Sequence, residues 1–249
     1  MDNVLVRIPS TFPAMQRPVY YFGVAPMDKD NKPASFPMMG RAVNVIAHHY
    51  ANVKGLIHCC SYPNVKTLID LLDCPERIIT HDGTNREVVI QKFRASDEPL
   101  ILVSPSMERG VDLPGDDCRW IAIVKVPYPD LGDKQISARL YSSRRSGQRW
   151  YNAQTSRRLC QMTGRGMRSV DDHCDSYILD ANFARFYGQN KNMFAPWWRE
   201  AVVMSNSEGG DGLNALTQML AGESMVGTLA LPLPAIRNLP LVYHSKNKY

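Results

Sequence analysis

Gln161-Met162-Thr163-Gly164-Arg165-Gly166-Met167-Arg168 sets a glutamine and two arginines at spacings of four and three residues. If the run is helical, the three side chains share one face, because neighbours on a helix surface lie three and four apart. Arginine presents a planar fork of N–H donors that stays charged at any working pH and matches phosphate oxygens. Two such forks beside an amide suit a grip on a terminal phosphoryl group. Each glycine costs about 1 kcal/mol in a helix relative to alanine, and each lets another backbone or a ligand come close. An arginine pair on its own is more often a solvated or salt-bridged face, so the rest of the chain has to decide.

Around this run, short apolar stretches alternate with helical ones, which predicts an α/β fold with a mostly parallel sheet flanked by helices. Strands are expected over residues 20–24, 55–60, 77–80, 100–103, 120–126 and 176–179. Helices are expected over 38–50, 63–72, 134–145 and 151–164. Thr84-Asn85-Arg86-Glu87 reads as a capping box that starts a further helix at Asn85. Beyond Met204 the run Ser205 to Gly212 has the composition of a flexible linker, with one candidate short helix at 213–220 after it. The expected organisation is a domain over 1–204 and a linker and tail of unassigned role over 205–249.

With 249 residues and 44% hydrophobic content, the chain can bury a sizeable core. Its formal charge of +5 is unevenly placed: between Arg139 and Arg168 there are eight arginines and no acid, so the remainder carries −3. That segregation suits a surface facing a polyanion, or a basic face met by an acidic partner domain. Six cysteines without a C-x-x-C pair fit buried free thiols in a reducing cytoplasm better than a disulfide framework. His48-His49 and His173-Cys174 lack a second pair at ligand spacing, so no metal site is expected. No leader and no apolar segment of membrane-spanning length is apparent, which points to a cytoplasmic chain with no membrane partner.

A second run, Val103-Ser104-Pro105-Ser106-Met107-Glu108-Arg109-Gly110-Val111-Asp112-Leu113-Pro114, changes the weight of the first. Together they resemble motifs V and VI of superfamily 2 helicases, in the wording of the DinG/XPD type. The resemblance takes in Gly55 to Tyr62, Ile79-Thr80-His81-Asp82, Val124-Lys125-Val126-Pro127-Tyr128-Pro129 and Gln148 to Thr155, in the family's order, from about residue 8 to residue 200. It implies a RecA-like domain of the P-loop NTPase type, the second motor domain of an ATP-dependent DNA helicase moving along a single strand, usually 5′ to 3′. In such an enzyme nucleotide closes between two halves, and arginines of the second half stabilise charge on the transferring phosphoryl.

By this resemblance, Arg165 and Arg168 meet the phosphates and Gln161 positions water or senses the γ-phosphate. Glu108, Gly110, Asp112 and Gly164 belong to the nucleotide site, with Asp112 and Gly110 by the ribose and Glu108 pairing with an arginine across the cleft. Ser61, Tyr62, Ser104 and Ser106 would contact single-stranded DNA, and Arg149 and Trp150 would stack on its bases. Tyr62 serves equally well as a packing residue, Trp150 and Tyr151 open a helix, where aromatics are more often core, and Trp197-Trp198 reads as a core plug. Tyr177-Ile178-Leu179-Asp180 imitates a strand ending in a magnesium-binding acid, but Ala181-Asn182 follows it and the reading is structural.

No glycine is followed directly by lysine, so the Walker phosphate loop cannot occur in this sequence. ATP and magnesium would be bound mainly by a first RecA-like domain, in cis or in trans, and the chain alone is expected to be inactive. The family's four-cysteine iron–sulfur cluster belongs to that first half, and none is expected here. The alternative is a non-catalytic nucleic-acid-binding or adaptor module that kept the fold without a motor partner. The intact Gln161, Arg165 and Arg168 argue against it.

Overall fold

Short apolar runs bounded by turn residues become the strands of one sheet in the computed structural model, which describes residues 10–105, 111–205 and 211–222. The elements in chain order are β1 (Val19–Ala25), α1 (Lys32–His49), β2 (Gly55–His58), α2 (Tyr62–Ile69), β3 (Ile78–Thr80), α3 (Arg86–Ala95) and β4 (Ile101–Ser104). There follow β5 (Trp120–Ile123), α4 (Lys134–Tyr141), α5 (Arg144–Met162), β6 (Asp175–Asp180), α6 (Asn182–Asn190), α7 (Pro196–Ala201), β7 (Val202–Met204) and α8 (Gly212–Leu220). The sheet order is β3-β4-β2-β5-β6-β1-β7, with every pairing parallel. The expected α/β architecture is the one that forms.

Parallel strands need crossover helices, and those helices cover both faces. Accordingly β2, β4 and β5 are buried at every position. On one face Leu56, Ile121 and Ile178 pack with Phe93 of α3, Leu159 and Met162 of α5 and Trp198 of α7. On the other, Ile57, Val103 and Leu179 pack with Met39 and Ile46 of α1, Leu68 of α2 and Leu216 of α8. Helix α8 thus lies beyond the boundary expected at 204 yet buries Ala215, Leu216 and Met219 in the core shared with α1.

Local details depart from expectation for identifiable reasons. Asp82 folds the turn ahead of helix α3: its Oδ1 accepts from the backbone N–H groups of Thr84 and Asn85 at 2.7 and 3.0 Å, while Asn85 Oδ1 accepts from Asp82 N at 2.9 Å. The Thr84 hydroxyl donates to the same Asp82 Oδ1 at 2.7 Å, so it takes up no capping position on α3. Helix α5 begins seven residues before the expected 151, because Ser143 caps it from outside, accepting from Ser146 N at 3.4 Å. Gly147 makes that break tight: a Cβ there would overlap the Leu140 carbonyl of α4. At the other end α5 stops at Met162, before the glycines. Trp198 fills the core as expected of a plug, and its indole N–H donates to Thr163 Oγ1 at 2.8 Å.

At the C-terminal edge of the sheet a single carboxylate gathers three strand ends. Asp180 Oδ1 accepts from Met27 N after β1 at 3.1 Å and from Asn182 N and Nδ2 at 3.0 Å each, and Oδ2 accepts from Val126 N after β5 at 2.9 Å. Burial pushes this carboxyl up, and the N–H bonds oppose the push. Asp180→Asn turns one acceptor into a donor facing another N–H. We expect a stability loss of about 1–3 kcal/mol, the cost of a buried unsatisfied group, seen as a lower urea midpoint with unchanged slope.

Candidate functional site

The two sequence runs that suggested a phosphate site meet at the opposite, N-terminal edge of the sheet. After α5 the chain turns through Gly164 to Gly166, and Arg165 O accepts from Leu113 N at 3.2 Å, which pins one run to the other. Gly166 permits this approach: a Cβ would lie 2.6 Å from both Cys118 O and Cys174 Sγ. Asp172, 6% exposed, completes the clasp. Its Oδ1 accepts from Gly115 N at 3.1 Å, and its Oδ2 accepts from Arg168 N and Ser169 N at 2.6 and 2.7 Å. Burial works against its charge, but the bonds from Ser169, Arg168 and Gly115 prevail and hold the carboxyl below its ordinary range.

Gln161, Arg165 and Arg168 do not share a helical face, because the helix ends at Met162 and both arginines come from the turn beyond it. Tertiary contacts bring the arginines together instead, around Asp112. Arg165 is pinned: Nε donates to Gln161 O at 2.8 Å, Nη1 donates to Val111 O at 2.7 Å, and Nη1 lies 3.9 Å from Asp112 Oδ1. Arg168 is looser, its side chain 41% exposed, with Nη2 on Asp112 Oδ1 and Nη1 donating to Met167 O at 2.9 Å. The hydrogen bond from Arg168 holds the Asp112 carboxyl below its ordinary range, with Arg165 and Arg94 adding to the pull. Gln161 Oε1 is buried with no hydrogen-bond partner among the described residues. Gly164 has room, since a Cβ would come no closer than 3.4 Å to Cys160 O, so packing does not demand a glycine there.

Two further features lie close to these arginines. Beside Arg168 and Gly164 opens a mainly apolar cavity of about 410 Å³ between Phe12, Met167, Trp197 and Trp198. His58 lies wholly buried near Arg165, and burial first, then the arginine charge, lowers its pKa to about 3. The cavity carries no motif, because its walls come from segments far apart in the chain, whereas His58 stands inside the Gly55–Tyr62 run.

The C-terminal edge holds the residues expected to meet a strand. Tyr62 is 46% exposed and stands edge-on to His81, with ring centroids 6.2 Å apart. The His81 Nε2 and Ser104 hydroxyl are hydrogen-bonded at 2.8 Å. Ser104 is fully buried, so its hydroxyl would have to leave His81 to touch a strand. Ser61 caps α2, accepting from Asn64 N at 3.3 Å. Arg149 is exposed, and Trp150 carries the Arg139 guanidinium 4.5 Å over its ring. Tyr151 is buried and donates to Pro129 O at 2.9 Å, a packing role. Ser106, Glu108 and Gly110 lie outside the described residues. All six cysteines are free thiols. Among the described residues no cluster of His, Cys, Asp or Glu is placed to hold a metal ion, and no helix is long and apolar enough to cross a membrane.

A family model described as helicase C-terminal domain matches residues 43–201. The chain belongs to this family, as a RecA-like C-terminal domain of the XPD/DinG type in superfamily 2. A regulator of telomere elongation helicase 1 homolog from Caenorhabditis elegans is 26% identical over 44% of the chain and 12% of that protein. Among solved structures, S. tokodaii Xpd4 matches 75% of this chain and 38% of that one, with a TM-score of 0.53 at 12% identity. An apo XPD structure matches 73% of this chain and 39% of that one, with a TM-score of 0.54 at 18% identity. The chain therefore spans a small part of that curated relative and less than two-fifths of those solved chains.

The buried His58 gives this region a pH signature. Its folded pKa lies below the ordinary 6.5, so the unfolded chain binds the extra proton and stability falls as pH drops from about 6.5 towards 3. His173 works in the opposite sense: its bond to Asp175 raises its pKa, and the stability it contributes is present at low pH and lost as pH rises past the ordinary value. His58→Leu isolates the first effect. The variant should gain on the parent in melting temperature as pH is lowered from about 7 to about 5; parallel melting curves across that range would contradict it.

Proposed function

We propose that this chain supplies the second half of an ATP-driven motor that moves along single-stranded DNA, with family usage favouring 5′ to 3′. The observation that carries the reading is the gathering of Arg165 and Arg168 around Asp112, at the end of the helix whose Gln161 carries a buried side-chain Oε1 with no hydrogen-bond partner among the described residues. Two guanidinium forks on one carboxylate hold an anion-binding geometry ready, which is where electrostatic stabilisation of a transferring phosphoryl is largest. ATP with magnesium, held mainly by the first motor domain, supplies the phosphoryl group and its Lewis acid. The carboxylates nearest this edge are already engaged, Asp172 by backbone N–H groups and Asp112 by arginines, which fits a division of labour in which the metal is bound elsewhere.

Each residue then has a role that follows from its bonds. Arg168, half free, exchanges Asp112 for phosphate oxygens as the halves close. Arg165 presents its charge from a fixed position, held by backbone carbonyls. Gln161 Oε1 is an acceptor, so it suits the O–H of the attacking water. Gly164 leaves space for the ligand, and Asp112, once released by Arg168, faces the ribose. Along the other edge, Ser61 and Tyr62 and the exposed Arg149 support a backbone and ring-face grip on the strand.

On this reading the chain by itself hydrolyses ATP negligibly, and phosphate release by the purified chain, stimulated by single-stranded DNA, would overturn it. In an enzyme assembled with its first motor domain, Arg168→Ala should lower kcat on the order of 10² or more while changing ATP affinity far less. Arg168→Lys should not restore it, since a point charge cannot make two parallel bonds. Near-normal turnover in both variants would return this arginine to a structural role.

A further inference from the structure

Two of the sequence runs singled out above take no part in the phosphate site: Pro127-Tyr128-Pro129 after β5, and Gln148 to Thr155 in α5. The fold brings them to one place. Tyr128, Gln148 and Asn152 line a notch of about 260 Å³ together with Asn182, Arg185 and Gln189 of α6. Its aromatic side is set by packing, Tyr128 stacking on Tyr151 with centroids 6.1 Å apart and standing edge-on to Phe186 at 5.5 Å. Its polar side is set by a relay of amides. Gln148 Nε2 donates to Asn152 Oδ1 at 2.9 Å, Asn152 Nδ2 to Asn190 Oδ1 at 2.8 Å, and Asn190 Nδ2 to Phe186 O at 2.9 Å. Asn182 is fixed too, its Nδ2 donating to Asp180 Oδ1 at 3.0 Å.

The chemistry of this notch selects among ligands. Amides offer donors and acceptors side by side, as the edges of nucleobases do, whereas a phosphate calls for donors only. Arg185 is the one charged side chain in the lining, and no acid is there to attract a cation. The volume falls below that of pockets for whole drug-sized ligands, about 300–1,000 Å³, and suits a single planar ring. Tyr128 is 37% exposed, so a ring face is available at the mouth.

The position agrees. The notch lies at the C-terminal ends of β5 and β6, on the same sheet edge as Tyr62 at the end of β2. Strands β2 and β5 are neighbours, and beyond them Cys60 Sγ is bonded to Lys125 O at 3.2 Å. Two strand spacings, about 10 Å, separate the end of β2 from that of β6. A strand crossing Tyr62 therefore reaches the notch.

We infer that this notch is a base subsite for the single strand, taking one unpaired nucleobase against Tyr128 with its edge bonded by Gln148, Asn182 and Gln189, and with Arg185 on the adjoining phosphate. The inference rests on the strand-gripping reading of this edge. Gln148 and Gln189 are exposed and can turn either end of the amide inward, so the subsite accepts any base.

The test titrates the full chain with a labelled oligothymidylate of about twelve nucleotides and with an abasic oligomer of the same length. Both carry the same phosphates, so the backbone grip contributes equally. The base-bearing probe should bind roughly tenfold more tightly. The double variant Gln148→Ala with Gln189→Ala, both at exposed positions, should lower that advantage several-fold, leaving the share carried by Tyr62, and leave abasic binding unchanged. Tyr128→Leu, which keeps an apolar side chain over Phe186, should do the same, with melting curves confirming that it folds. Variants that keep the full advantage overturn the subsite, as does a parent chain that binds both probes equally with steep salt dependence, a result that leaves the strand grip standing. Binding of neither probe by the parent overturns the strand grip and the subsite with it.

Discussion

A parallel sheet covered by helices on both faces leaves polar chemistry only two places to collect, the two edges where strands begin and end. In this chain each edge is closed by one buried carboxylate that accepts backbone N–H groups. Asp180 joins the segments after β1, β5 and β6 at the C-terminal edge, and Asp172 joins Gly115 to Arg168 and Ser169 at the other. Each is surrounded by N–H donors whose bonds replace hydration, which is how a carboxylate is kept inside a fold without an ion-pair partner. The candidate sites sit on the loops these two acids hold in register.

The strands were legible because a sheet buried on both faces writes itself as short unbroken apolar runs, as in Ile101 to Val103 and Trp120 to Ile123. The arginines were legible through a motif, but the geometry offered for them, one helical face, was wrong. A three-and-four spacing implies shared orientation only while the helix lasts, and the chain leaves it after Met162 to meet Leu113, with Gly166 permitting the close approach. Asp172 carried no sequence signal: its partners are backbone groups of Gly115 and of its own loop, and backbone donors look the same at every residue. The Asp82 turn ahead of α3 was hidden by the more familiar pattern at Thr84. The packing of α8 against α1 could not be read from composition, since a glycine-rich run before a helix is compatible with either docking or detachment.

The two arginines also differ in a way that spacing alone conceals. Arg168 and Asp112 are both partly exposed, and ion pairs of that kind contribute about 0–1 kcal/mol. Exchanging such a partner for a phosphate costs little. Arg165 has a side chain only 11% exposed, and its fork satisfies the carbonyls of Gln161 and Val111. Withdrawing it would leave buried acceptors unmet at about 1–3 kcal/mol each. Under the proposed function the pair therefore divides its work: Arg168 moves to the ligand, whereas Arg165 stays and lets the ligand come to it. A fixed charge requires no reorganisation at the moment of reaction, which is the condition under which electrostatic stabilisation is most effective. The same bonds make Arg165 part of the fold, so its removal is bound to affect stability as well as chemistry, and only at Arg168 can the two be separated.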